Sequence, residues 1–316
     1  FTTLKNVTVI IIMLNTQIAN RNYKTCIYNA SGVHCITKED LQDLYKSSSS
    51  IVLSKSCTLE YRSGNVLPRY FDNDNLSINS SGLPNMGYDF YNHLGANFES
   101  KDYFLSLAGM KPDDNLFMLE HLSNTINGIE LNLSCPNIAG KAQIGYDFES
   151  TEELLRKASE LLDTNLTFGI KLPPYFDETH FNTMADIINS SKVNSITCIN
   201  SIGNGLVIDP NTNKVVIKPK RGYGGIGGSI VKPTALANVH KFYKLTKCSI
   251  IGCGGISNGT DAYEHILCGA SAVQIGTQLY KEGISCFDRI QGELETVMTS
   301  KGYTNLNEFR GKLEYL

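Results

Sequence analysis

Ser249-Ile250-Ile251-Gly252-Cys253-Gly254-Gly255 and, one helical stretch later, Ala272-Val273-Gln274-Ile275-Gly276-Thr277 decide how this chain folds. Each is a short apolar run that stops on glycine, and residues 260–268 between them carry a helical period. A strand, a helix and a second strand of this size make a parallel crossover unit. Toward the N-terminus the same alternation recurs, with strand candidates at Ile27-Ala30, Ile51-Ser54, Tyr103-Ala108, Ile129-Leu133, Phe168-Leu172 and Ser195-Ile199. Helices are expected at 37–47, 86–97, 112–126, 150–163, 178–190, 232–245, 260–268 and 285–301. Thr37-x-x-Asp40, Pro112 and Ser150-x-x-Glu153 supply start signals.

Eight strands, each followed by a helix, predict an α/β fold, a (β/α)8 TIM barrel. An open doubly wound sheet would want a phosphate loop after its first strand, where this chain has Asn29-Ala30-Ser31-Gly32. Two stretches are too long for plain connections. Residues 56–85 hold a possible strand pair, and Leu206 to Ile217 reads as a hairpin around Pro210-Asn211. Insertions of this kind place β-hairpins on the catalytic face of a barrel. Residues 13–316 read as one domain. Residues 1–12 read as an extension of undetermined role, whether a cloning remnant or an added strand.

The 316 residues, 41% of them hydrophobic, suffice for one large core. A net charge of −3 with no long block of one sign excludes the basic stripe that binds nucleic acid or an anionic membrane. The partner expected is a small molecule. The nine cysteines are odd in number, lack a C-x-x-C pair and mostly sit in apolar runs, which is reduced-compartment usage. The Val7 to Ile12 run is too short to span a bilayer, so a cytoplasmic protein is expected.

The strands end in polar residues: Asn29, Lys55, Asn132, Lys171, Asn200, Gly254-Gly255 and Gly276-Thr277. In a barrel these ends share one cavity. Two lysines after apolar strands read as partners for an anion, such as the negative charge near N1 of a reduced flavin. Each alone is as easily a solvated lysine. The asparagines offer paired donors and acceptors for an amide-rich ring, or simply form turns. Gly224-Gly225-Ile226-Gly227-Gly228, Gly252 to Gly255 and Gly276-Thr277 suit a phosphate. Gly222-x-Gly224-x-x-Gly227 matches a dinucleotide fingerprint but lacks its acidic partner and its first βαβ unit, so it reads as a decoy. Cys135, in the polar run Asn132-Leu133-Ser134-Cys135-Pro136-Asn137, can take up a proton, whereas Cys26, Cys198, Cys248 and Cys268 read as apolar filler. None of the six histidines has a metal-ligand spacing, so no metal is expected.

These segments, with Ser54-Lys55-Ser56, Ser77-Ile78-Asn79-Ser80, Gly82-Leu83-Pro84-Asn85 and Lys171-Leu172-Pro173-Pro174-Tyr175-Phe176-Asp177, resemble class 1A dihydroorotate dehydrogenase. So do Asn200-Ser201-Ile202-Gly203-Asn204-Gly205, Lys218-Pro219-Lys220 and Pro233-Thr234-Ala235-Leu236-Ala237-Asn238. The resemblance runs from about Met13 to the C-terminus. It implies oxidation of dihydroorotate to orotate in pyrimidine synthesis, with FMN as cofactor, fumarate as acceptor and a homodimer as the assembly. It further implies Cys135 as catalytic base. Substrate would be held by Lys55, Asn79, Ser80, Ser81, Gly82, Leu83, Asn132, Asn200 and Ser201. FMN would be held by Ser31, Gly32, Lys55, Asn132, Lys171, Ile199, Gly228, Gly254, Gly255, Gly276 and Thr277.

The chain departs from the family pattern at Ser81, in place of a usual Met, at Leu76, in place of a common Gly, and at Val66 and Ala142, in place of common prolines. Because the Ser81 segment would serve mainly through backbone N–H groups, altered affinity is expected there rather than lost activity. Other readings stay open at this point. A class 1B subunit would pass electrons to NAD through a separate partner. A barrel lyase or isomerase without flavin would use the phosphate loops alone, and a silent barrel would only bind.

Overall fold

The computed structural model describes residues 13–134, 143–162 and 165–316, and the extension over residues 1–12 lies outside them. Eight parallel strands form one sheet in the order Ile27–Asn29, Ala270–Ile275, Ser249–Cys253, Ser195–Cys198, Thr167–Leu172, Gly128–Asn132, Tyr103–Leu107, Val52–Leu53. Each expected strand is present. Neighbours in this order are neighbours in sequence, which is the pattern of a sheet rolled into a barrel.

The seam between Ile27–Asn29 and Val52–Leu53 closes without a regular ladder. Ser50 donates its backbone N–H to Ile27 O at 2.9 Å. The Asn29 carboxamide then stands in for a missing strand residue, accepting the Leu53 N–H at 3.0 Å and donating to Leu53 O at 2.7 Å. Expected among the cavity's polar residues, Asn29 is instead fully buried in this seam. A side-chain amide carries the same donor and acceptor as a peptide, so it can bridge two strands too short to reach each other.

Alternation sets what the barrel holds. In Gly128–Asn132, Ile129 and Leu131 are buried among apolar neighbours, while Glu130 and Asn132, on the opposite face, make side-chain hydrogen bonds across the barrel interior. Helices Lys38–Lys46, Phe148–Leu161, Glu178–Asn189, Lys232–Leu245, Gly259–Leu267 and Ser285–Ser300 cover the outside with Leu41, Leu155, Ile188, Val239, Ile266 and Leu294. Each such side chain contributes roughly 1.5–3 kcal/mol through burial.

The start signals act as expected at two helices. Thr37 and Asp40 form a reciprocal capping box, and Pro112 occupies the first turn of Pro112–Glu120. At Phe148–Leu161 the cap is Asp147, not Ser150, because the aspartate accepts the Ser150 N–H at 3.1 Å. The third helix stops at Glu120 rather than 126, and Tyr88–Asn92 passes into a 3-10 turn at Leu94–Asn97. A short helix, Thr277–Glu282, was not expected.

Both insertions hold hairpins, at Tyr70–Asp72 with Ser77–Asn79 and at Ile208–Asp209 with Lys214–Val215. Beyond the sequence reading, Ile202–Leu206 and Tyr223–Gly227 join the first of these in a four-stranded antiparallel sheet. The Gly222 to Gly227 run is therefore mostly strand, not the strand-to-helix turn that a dinucleotide fingerprint needs. Among the described residues no helix is long and apolar enough to cross a membrane. Eight cysteines are described, and all are free thiols.

Candidate functional site

At the C-terminal ends of the barrel strands lies a cavity of about 280 Å³. Its wall brings together Ser31, Gly32, Lys55, Asn79, Ser81, Leu83, Asn132, Lys171, Ile199, Asn200, Ser201, Gly228, Gly254, Gly255, Gly276 and Thr277. Side chains up to 246 residues apart in sequence thus meet in one place, because parallel strands all deliver their C-terminal ends to the same rim. Ser80 and Gly82 are not in the wall. The Ser80 N–H is already given to Arg69 O at 2.9 Å, and Gly82 O accepts from Arg62 Nε at 3.3 Å. Asn79, Ser81 and Leu83 reach the cavity from a chain that leaves its strand after Asn79 and turns through positive φ at Gly82 (73°) and Leu83 (55°). Cys135 lies outside the described residues.

Lys171 rises from the floor. Its ammonium donates to Gln274 Oε1 at 3.0 Å and to Cys253 Sγ at 3.6 Å. Gln274 passes the link on, its Nε2 lying 2.6 Å from Glu130 Oε2. That carboxylate also accepts from Thr197 Oγ1 at 2.8 Å and Ser31 Oγ at 3.1 Å. Buried charge is tolerated only when its hydrogen bonds are made, and here they are. Burial works against the Lys171 ammonium, but the Cys253 sulfur and the Glu130 carboxylate outweigh it and hold the pKa above the usual lysine value. The cavity floor therefore carries a fixed cation. Lys55 adds a second, with its ammonium 3.1 Å from Gly32 O.

The asparagines are oriented by one serine. Ser134 Oγ donates to Asn132 Oδ1 at 2.9 Å and accepts from Asn200 Nδ2 at 2.6 Å. Asn132 Nδ2 is held by Ser56 Oγ at 3.3 Å, and Asn200 Oδ1 accepts the Ser201 N–H at 2.8 Å. Ser134 immediately precedes Cys135, so the same pair of amides fixes the point from which the Cys135 segment departs.

Along the Gly254-Gly255 part of the wall the backbone takes over. Gly254 and Gly255 adopt φ of 125° and 75°, a region open to glycine and strained for other residues. A Cβ on Gly255 would sit 2.9 Å from the Lys232 backbone nitrogen. Gly254 and Gly255 donate their N–H groups to no acceptor among the described residues. Thr277 opens a helix, where the first N–H groups have no intrahelical partner. N–H groups without an acceptor among the described residues, on two segments that line one pocket with two lysines, suit an anion such as phosphate.

Glu130, Thr197, Gln274 and Ser56 escaped the sequence reading. Glu130 and Gln274 sit within strands read as apolar, and a charged or amide residue at an inward position of such a run was the available signal.

The family profile described as "Dihydroorotate dehydrogenase" matches residues 13–298. Dihydroorotate dehydrogenase A (fumarate) of Lactococcus lactis subsp. cremoris is 51% identical over 313 residues, covering 96% of this chain and 100% of the relative. Dihydroorotate dehydrogenase (fumarate) of Lachancea kluyveri is 50% identical over 306 residues, covering 94% of this chain and 97% of that one. A solved DHODH from Eimeria tenella, in complex with ferulenol, superposes with a TM-score of 0.79 at 19% identity, over 94% of this chain and 88% of that chain. That last likeness speaks for the barrel alone. With half of its residues shared along nearly its whole length, this chain belongs to the dihydroorotate dehydrogenase family.

Proposed function

We propose that the chain oxidises dihydroorotate to orotate, with FMN as the hydride carrier and fumarate as the acceptor. The observation that carries the cofactor is the pairing, in one cavity, of the buried Lys171 ammonium with Gly254 and Gly255, whose N–H groups meet no acceptor among the described residues. Bound FMN supplies a ring that takes a hydride from the substrate and later surrenders it to fumarate. Lys171 would neutralise charge on that ring, with Gln274 and Glu130 preventing the ammonium from swinging away. Gly228, Gly254, Gly255, Gly276 and Thr277 would hold the phosphate, and Ser31, Gly32 and Ile199 would line the cofactor.

Asn79, Asn132, Asn200 and Ser201 would read the amide edges of the substrate ring, with Lys55 against its carboxylate. Cys135, next to the anchored Ser134, would take the C5 proton as hydride leaves C6. Orotate and fumarate are both small carboxylates, so one pocket serves both in turn and ping-pong kinetics follow. A cytoplasmic homodimer accords with the rest. Leu206, Ile208, Val215 and Tyr223 are exposed on paired strands, and an apolar patch of this kind would serve as the subunit interface.

The test is spectroscopic. The purified chain should be yellow, with about one FMN per chain, bleach on anaerobic dihydroorotate and recover its colour with fumarate, gaining little from NAD or a soluble quinone. A reducible flavin that fumarate does not reoxidise would reject the fumarate assignment. A colourless folded chain that takes up no added FMN would reject the flavin itself.

A further inference from the structure

His265 lies behind the phosphate end of the cavity, on helix Gly259–Leu267, and has no surface exposed. It is not in the cavity wall. Its Nε2 is 3.1 Å from Gly254 O. A carbonyl can only accept, so Nε2 carries the proton and the imidazole is the donor. On the same helix face, four residues earlier, Asp261 holds the rest of the loop: it accepts from Ser257 N at 2.9 Å, Ser257 Oγ at 2.8 Å and Lys232 Nζ at 2.7 Å. Burial drives the His265 pKa down to about 4, so the ring stays neutral at physiological pH.

The bond has a consequence on the other side of the peptide. Gly254 O and the Gly255 N–H belong to one planar trans unit and point in opposite directions. Pulling the carbonyl back toward His265 turns the Gly255 N–H away from the helix, toward the cavity that Gly254 and Gly255 line. A peptide between two glycines, both at positive φ, is among the easiest in a chain to flip. We infer that His265 is a positioning residue: its hydrogen bond locks the Gly254–Gly255 peptide so that the Gly255 N–H is presented to the cofactor phosphate. This rests on the FMN assignment above and adds the residue that shapes its phosphate site.

The experiment compares two flavins that differ only in the phosphate. Apoprotein of the full chain is titrated with FMN and with riboflavin, and the ratio of the two affinities is taken for wild type, His265→Leu, His265→Gln and His265→Asn. Wild type should favour FMN. His265→Leu should weaken FMN by about tenfold, the scale of one hydrogen bond to a charged group, and leave riboflavin unchanged. A residue that merely filled space would weaken both flavins together. If the leucine variant does not fold, the amides carry the test: Gln reaches Gly254 O and should keep most of the ratio, whereas Asn, one methylene shorter, should lose it. A wild-type ratio in His265→Leu, or equal ratios in Gln and Asn, would overturn the inference alone. Wild-type apoprotein that takes up neither flavin would overturn the FMN assignment and the inference with it.

Discussion

Lys171 and Gln274, on barrel strands that are not neighbours in the sheet, are joined across the interior by a 3.0 Å hydrogen bond from the ammonium to the amide oxygen. The bond fixes where the cation stands. Because Gln274 is in turn bound to Glu130, cation and carboxylate are connected without touching, and neither is left unsatisfied.

Lys171→Ala should therefore weaken FMN binding by about tenfold or more, the scale of a lost hydrogen bond to a charged group. Lys247 is exposed at the opposite end of the barrel, beside the start of strand Ser249–Cys253, and Lys247→Ala should change affinity by less than about 0.5 kcal/mol. Flavin titration of both variants reads the contrast. Equal effects would mean that the catalytic face has been misplaced.

Asn29→Ala should destabilise the barrel by about 2–4 kcal/mol, since it removes two hydrogen bonds and strands the buried Leu53 N–H and C=O. Chemical denaturation of the FMN-free chain measures this without any contribution from the cofactor. A loss below about 1 kcal/mol would show that the seam does not depend on the carboxamide.

The stability of the protein should fall in acid through His265. Its folded pKa of about 4 lies below the ordinary value of 6.5, with burial as the leading cause. Above pH 6.5 the imidazole is neutral in both states and contributes no pH dependence. Between 6.5 and 4 the unfolded chain binds a proton that the folded chain refuses, so stability is lost as pH falls, by up to about 3 kcal/mol. His265→Gln should flatten that part of the stability curve. An unchanged slope would show that other groups set it.

Cys135→Ser should retain FMN but slow flavin reduction at pH 7 by about two to four orders of magnitude, the range for loss of a general base. A hydroxyl needs far higher pH than a thiol of ordinary pKa near 8.5 to ionise, so the defect should narrow as pH rises. Rapid-mixing absorbance of the flavin band follows it. Wild-type reduction rates in the serine variant at pH 7 would place the base elsewhere.

Sequence alone determined the fold: eight short apolar runs, each followed by a helical stretch, leave a parallel barrel as the arrangement that buries them all, and each strand appears where its run lies. Lys55, Asn132, Lys171, Asn200 and the glycines at 254, 255 and 276 were legible as site candidates because they recur as a set at the ends of apolar strands, where the bland reading of each alone does not cover the group. Only the tertiary structure decided which polar residues face the cavity and which do not. Asn29 sits at a strand end like the others, yet it closes the seam to Val52–Leu53, a strand of two residues that pairs regularly only with Tyr103–Leu107. Ser80 turns away between Asn79 and Ser81. Glu130 and Gln274 showed in the sequence only as polar residues inside apolar runs, and His265 not at all, because what each one does depends on a partner dozens of residues away or on a carbonyl across a loop, and closeness of that kind is created by the fold rather than by spacing along the chain.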